Sequence, residues 1–280
     1  MEVKLFSEEI TSRQNPYVGY LCKLADKKCR DKEKCFRADG IKLLSEAITC
    51  GAVIDSVAVT KSAFERYGYV LDTLDDSVSV RMISDGVFSK ISEEKAPEGV
   101  ICVIKYIDKL HKTLSVNDEA ECLPSEISED ETVFVLESVR DPGNLGTVVR
   151  TAAAFGVDLL VISRDCADIY NPRTLRAAMG AIFHQRILRV NDVSLTVNSM
   201  QHKGRKVYAA ALAEDASLLG RCKLEKNDCI VIGNEGHGLS EKTVSACTEK
   251  LLIPMVPGTE SLNAAVASSI CLWEQFGRNI

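Results

Sequence analysis

From residue 132 to the C-terminus, short apolar runs alternate with amphipathic stretches at a regular interval. The runs predict strands at 132–138, 157–163, 185–190, 206–211, 228–233 and 250–254, several of them apolar throughout, as strands buried on both faces are. The stretches between them predict helices near 144–156, 172–181, 193–203, 240–247 and 261–277. On a helix starting at Asn144, the residues Leu145, Val148, Val149, Ala152 and Phe155 share one stripe that packs onto a sheet. In the last helix Leu262, Val266, Ile270 and Trp273 share a face, which predicts that it is anchored to the core. Strands alternating with helices predict an α/β fold with a parallel sheet covered on both faces. In such a sheet, ligands bind at the carboxyl ends of the strands.

The N-terminal part is less regular. Apolar positions Ile41, Leu43, Leu44, Ala47 and Ile48 predict a helix over 36–48, stopped by Gly51. Strands follow at 53–60, 77–83 and 99–106, and short helices at 61–69 and 85–91. This outlines a smaller α/β domain over 1–110. Residues 111–131 hold Pro124, three serines and a run of acids, and are expected to be a linker to the second domain at 132–280.

Three polar, glycine-bearing segments fall at the predicted carboxyl ends. In the first, Asp141-Pro142-Gly143 forces a turn into a helix with Asn144, Thr147 and Thr151 along a polar flank. Asn144 either caps that helix or faces a ligand. Arg150, turned away from the apolar stripe, is either an ordinary surface arginine or a guanidinium matched to an anion. In the second, Gly233, Gly236 and Gly238 follow an apolar strand, and glycine lets backbone approach a ligand closely. Their spacing fits neither a dinucleotide fingerprint nor a P-loop. Glu235 suits a ribose or a cation, or is a solvated carboxylate; Asn234 accompanies it, and Ser240 reads as a helix cap. In the third, Ile253-Pro254-Met255 leads to Ser261, Leu262 and Asn263 at a first helical turn. That turn could hold a cofactor carboxylate or adenine edge, or could only be capped.

Composition narrows the class. Among the 280 residues no run approaches the ~20 apolar residues that span a membrane, and the Met1-Glu2-Val3-Lys4 start lacks the form of a secretion signal, so the chain is expected to be cytoplasmic. Net charge is −6, but seven acids and no base lie between 118 and 131, leaving the rest at about +1 (−6 + 7). Residues 13–37 hold eight bases against three acids, either a solvated face or an arm for RNA. Eleven cysteines without a C-x-x-C pair read as reduced thiols, and no metal is expected; Cys22, Cys29 and Cys35 alone keep a metal alternative open. The four histidines form no catalytic set by spacing.

Taken in order, the three segments resemble the signature of the SpoU (TrmH-like) branch of the SPOUT methyltransferases. Residues 141–156, 233–240 and 253–274 are close to its three motifs, so the resemblance spans the whole C-terminal domain. Tyr170-Asn171-Pro172 with residues 176–183 is similar to the family's middle helix, Ala178 standing where a serine is common. More loosely, residues 38–44 and 96–100 resemble the family's ribosomal-protein-like RNA-binding module. The resemblance implies a trefoil-knot domain behind an RNA-binding domain, working as a homodimer with sites at the subunit interface. It implies S-adenosyl-L-methionine as methyl donor and an RNA ribose 2′-hydroxyl as acceptor, with 23S-type rRNA ahead of tRNA. Gly233, Ile253 and Leu262 carry over as backbone contacts to the donor, with Asn234, Gly236, Met255 and Ser261 nearby. Arg150 carries over as the residue that activates the ribose hydroxyl, and Asn144, Glu235 and Asn263 as those shaping its pocket. A tRNA methyltransferase of the same fold and a catalytically inert RNA-binding module are the alternatives; the intact Asn144, Arg150, Glu235 and Asn263 speak against the second. An ordinary nucleotide-dependent dehydrogenase lacks its glycine fingerprint after the first strand.

Overall fold

A computed structural model describes residues 8–92, 96–115, 127–128, 130–256, 258 and 261–277; most of the expected acidic linker lies outside the described residues. The chain forms two compact units, Met1–Ile107 with Tyr170–Phe183, and Asp108–Ile169 with His184–Ile280.

In the first unit the elements run α1 (Pro16–Lys23), α2 (Lys27–Glu33), β1 (Cys35–Asp39), α3 (Ile41–Thr49), β2 (Ile54–Val59), α4 (Lys61–Leu71), β3 (Ser79–Met82), α5 (Asp85–Ile91) and β4 (Val100–Lys105). The sheet order is β1-β4-β2-β3, with β4 antiparallel to both neighbours and β2 parallel to β3. Leu21, Leu24, Ile83, Phe88, Ile101 and Val103 fill the core on one face. Phe36 points to the other face, where its ring stacks on Tyr170 at 4.4 Å, and Tyr106 stacks on the same ring at 4.3 Å. The Tyr170 hydroxyl accepts from the Ile107 amide at 2.8 Å.

Two expectations for this unit are corrected. The helix predicted over 36–48 is a strand followed by a helix, because Phe36 and Ala38 pair into the sheet against β4. Gly40, at φ +100°, turns the chain between them, and Glu98 accepts from the Ile41 amide at 2.9 Å. The basic stretch is not a uniform outer arm either. Arg30 and Arg37 are buried, Arg30 donating to the Leu24 and Ala25 carbonyls at 2.9 and 2.7 Å, and Arg37 to Leu21 at 3.3 Å. Fixed guanidinium donors satisfy helix-end carbonyls that would otherwise be left bare. Among the described residues, Cys22, Cys29 and Cys35 do not converge as metal ligands would.

In the second unit the elements are β5 (His111–Leu114), β6 (Val133–Leu136), α6 (Pro142–Ala154) and β7 (Leu159–Ser163). The chain then passes through α7 (Pro172–Ala178), which packs in the first unit, and returns as β8 (Arg186–Val190), α8 (Val193–His202), β9 (Val207–Ala210), β10 (Ser217–Leu218), β11 (Cys229–Ile232), α9 (Glu241–Ala246), β12 (Glu249–Leu252) and α10 (Ala264–Gln275). All eight strands pair in parallel, in the order β10-β12-β9-β11-β6-β7-β8-β5. β6 and β11 are buried at every position, as central parallel strands must be.

The six predicted strands of this part are all present. His111–Leu114, placed in the linker by its polarity, is instead an edge strand beside β8, where one row of hydrogen bonds suffices without an apolar run. Ile127, also in that stretch, is buried in the core of this unit. The face expected to anchor α10 is reversed. Val266, Ile270 and Trp273 are 48%, 37% and 52% exposed, while Ala264, Ala265, Ser268, Cys271 and Leu272 are buried. Small residues let α10 lie close against α6, and the larger apolar side chains are left outside.

Candidate functional site

The chain leaves β6 for β7 on one side of the sheet and leaves β11 for β12 on the other. β6 and β11 are neighbours, so the strand order switches direction between them, and the hollow opens on the β11 side of that switch point. A cavity of about 600 Å³ lies at the carboxyl ends of β9, β11 and β12. From the second segment it is lined by Gly233, Asn234, Glu235 and Gly236. From the third come Ile253, Met255, Ser261 and Leu262. All seven residues assigned to the donor from the sequence therefore face one hollow, walled on its apolar side by Ile232, Leu239 and Leu251.

The loop after β11 is tightly wound. Asn234 and Gly238 exchange backbone hydrogen bonds of 3.1 and 2.9 Å, and Gly238 sits at φ +68°. The Asn234 side chain accepts from the Gly236 amide at 2.8 Å and donates to the Ser138 carbonyl at 3.0 Å. A Cβ on Gly233 would lie 2.3 Å from the Gly238 carbonyl carbon, so only glycine fits there. Gly236 has no such demand: its Cβ would meet Asn234 Oδ1 at 3.4 Å.

Helix α6 begins two residues earlier than the sequence suggested. Pro142 takes its first position and Asp141 caps it, accepting from the Asn144 amide at 2.9 Å. That corrects the capping reading of Asn144 and frees its side chain. Asn144 donates through Nδ2 to Glu235 Oε1, and its Oδ1 accepts from Asn263 Nδ2 at 3.0 Å. Asn263 in turn caps α10, accepting from the Ala265 amide at 3.0 Å. Thus one amide joins all three polar segments. Thr147 and Thr151 do not extend the site, since their hydroxyls donate back to the Gly143 and Thr147 carbonyls. Arg150 is exposed and lines neither this cavity nor the α6–α10 groove. It is the one catalytic candidate that the single chain does not bring to the others. That groove, about 460 Å³, is lined by Asn144, Thr147, Asn263, Val266, Ile270 and Trp273.

Sequence reasoning missed the polar frame behind these loops. Asp165, after β7, accepts from Ser163 at 2.6 Å, Ser138 at 2.7 Å and Arg140 at 3.0 Å. Burial alone would raise its carboxyl, but these hydrogen bonds outweigh it and bring the value from 3.8 down to about 2. A lowered carboxylate stabilises the fold above its unfolded value and loses that contribution as pH falls through the folded one. With the side chain 46% exposed, solvent screening reduces the effect to about 1 kcal/mol. Asp165→Asn is expected to flatten the acid limb of the unfolding profile between pH 4 and 2, measured by thermal melts across that range. No local motif marks Asp165, because its partners come from the exits of two strands.

A family model described as the SpoU rRNA methylase family matches residues 131–273, and one described as an MRM3-like substrate binding domain matches residues 15–102. The 23S rRNA (guanosine(2553)-2′-O)-methyltransferase RlmP of Bacillus subtilis is 29% identical over 271 residues, covering 96% of this chain and 100% of its own. Among solved structures, the AdoMet-bound rRNA methyltransferase from Sinorhizobium meliloti superposes with a TM-score of 0.81 at 28% identity, covering 98% of each chain. A structure described as an RNA 2′-O ribose methyltransferase gives 0.79 at 25% identity, covering 96% of this chain and 98% of that one.

Proposed function

Since the chain belongs to the SpoU rRNA methylase family, we propose that it methylates a ribose 2′-hydroxyl of 23S-type rRNA, with S-adenosyl-L-methionine as donor, and works as a homodimer. The observation that carries this reading is Asn144, whose one amide ties Glu235 of the cavity wall to Asn263 of the third segment. The similar proteins named above, rRNA and RNA 2′-O-methyltransferases, support the same reaction and substrate.

The residues present fit the donor. A hollow of about 600 Å³ falls within the 300–1,000 Å³ usual for cofactors. Its apolar wall suits an adenine, and the Gly233–Gly238 turn offers backbone to polar groups. Gly233, Asn234 and Gly236 with Ile253, Met255, Ser261 and Leu262 would hold it. S-adenosylmethionine supplies a sulfonium methyl that is already electrophilic. What remains for the protein is to orient the ribose and to stabilise charge as its oxygen attacks. Asn144 fixes the Glu235 carboxylate and the Asn263 amide against each other, giving the ribose a preset acceptor and donor. Arg150, permanently charged and away from its own chain's pocket, would supply the positive field for the developing alkoxide from the second copy.

The homodimer reading rests on the apolar groove. Val266, Ile270 and Trp273 stand exposed beside Thr147 and the half-buried Asn144, and a second copy would cover them while completing the site. Trp273→Asp is expected to shift the protein to a monomer in sedimentation equilibrium and to abolish transfer, with cavity residues untouched. Substrate class is tested by incubating the protein with methyl-labelled donor and either 23S rRNA or total tRNA. Label is expected in the 23S rRNA; label confined to tRNA would contradict the reading.

A further inference from the structure

Glu137 follows an uninterrupted buried strand, Val133–Leu136, and is the first polar residue out of the sheet. Its carboxylate reaches across to the far end of the loop that lines the cavity. Oε2 accepts from the Ser240 amide at 2.9 Å, and Oε1 accepts from the hydroxyls of Ser240 at 3.0 Å and Thr243 at 2.7 Å. Its own amide donates to the Ile232 carbonyl at 2.8 Å, at the near end of that loop. The next residue, Ser138, receives the Asn234 side chain on its carbonyl at 3.0 Å. Two consecutive residues thus hold the loop at its entry, its first turn and its exit.

We infer that Glu137 is a positioning residue for methyl transfer: it sets the shape of the 233–239 loop, and through it the place of Glu235 and of the donor. It touches neither the cavity nor the Asn144 bridge, being absent from the lining. Within the loop, Gly238 is paired to Asn234 and Leu239 packs against the core; Glu137 adds the link from the loop's exit to the end of β6. A carboxylate is suited to the task because all three of its partners are donors, and bonds to a charged acceptor are about twice as strong as neutral ones. Glutamine could keep its oxygen on the Ser240 amide, but its uncharged NH2 would then face the two hydroxyls, which must turn round to accept, so the charge-assisted bonds are lost.

This inference rests on the cofactor reading above. The test is calorimetry with S-adenosylhomocysteine on wild type, Glu137→Gln and Thr243→Val, with steady-state kinetics beside it. Both variants are expected to weaken binding about tenfold and to raise KM for S-adenosylmethionine in proportion, with KM for RNA unchanged. The double variant is expected to be no worse than Glu137→Gln alone, since both changes cut one contact. Should Glu137→Gln fail to fold, Thr243→Val reads the same staple from its other end. A lowered melting temperature with unchanged binding and an unchanged ratio of the two KM values would make Glu137 merely structural and overturn the inference. Wild-type protein that binds no S-adenosylhomocysteine would overturn the cofactor reading and this one with it.

Discussion

Replacing Arg150 by Ala is expected to slow methyl transfer by about a thousandfold, the usual cost of removing a donor aimed at developing negative charge, while leaving S-adenosylhomocysteine affinity unchanged. The two halves of this prediction have separate physical grounds. Arg150 lies outside the cavity that would hold the donor, so binding there does not depend on it. It is exposed on α6, whose buried face is Leu145, Val148, Val149 and Ala152, so its loss should move stability by no more than about 0.5 kcal/mol. Lysine keeps the charge but not the planar fork, and Arg150→Lys should recover only part of the rate. Single-turnover transfer on the variants, with calorimetry as control, decides it. Survival of activity in Arg150→Ala would remove this residue from the chemistry.

The second large effect is expected at Gly233. An alanine Cβ there would lie 2.3 Å from the Gly238 carbonyl carbon and 2.5 Å from the Leu239 nitrogen. Both are backbone atoms, so no side-chain rotation relieves the contact. The turn must open, and opening it breaks the Asn234–Gly238 pair and displaces Glu235 from Asn144. Gly233→Ala should cost roughly 3 kcal/mol, the upper end of overpacking, and abolish donor binding. Gly236→Ala, with its nearest neighbour at 3.4 Å, should melt like wild type. The contrast separates close approach from mere loop composition.

Much of the second unit was legible in the sequence. Its strands are apolar runs of the right length, and the three segments sit where a parallel sheet opens to ligands; the seven cavity residues themselves are named by the resemblance of those segments to the SpoU methyltransferases. What was not legible is contact at long separation. Asn144 meets Glu235 across 91 residues and Asn263 across 119, and local pattern predicted a cap instead, because Asp141 offers an equally good one. Glu137 and Asp165 were passed over for the same reason: each is a single acid after an apolar strand.

The α10 face was misread because the helix is apolar on two sides. Val266, Ile270 and Trp273 outweigh in bulk the small residues that pack, so apolar bulk does not mark the buried side. Segment Tyr170–Phe183 lies between two strands of one sheet yet belongs to the other unit. The stacking of Tyr170 on Phe36 and Tyr106, with α7 packed against β1, ties it there, and neither stacking partner is near Tyr170 in sequence. In the N-terminal unit, α2 is Lys-Lys-Cys-Arg-Asp-Lys-Glu, with no apolar period to read. It is held by the Asp26 cap and the inward Arg30 rather than by a hydrophobic stripe.

The central claim is that this constellation directs a methyl group onto a ribose oxygen. Its most direct test is digestion of 23S rRNA, after incubation with the protein and isotopically labelled S-adenosylmethionine, to nucleosides for mass spectrometry. The account predicts one labelled nucleoside whose extra methyl stays with the sugar on fragmentation, at a position that resists alkaline cleavage. A label that leaves with the base, or no label from a protein that binds S-adenosylhomocysteine, would contradict it.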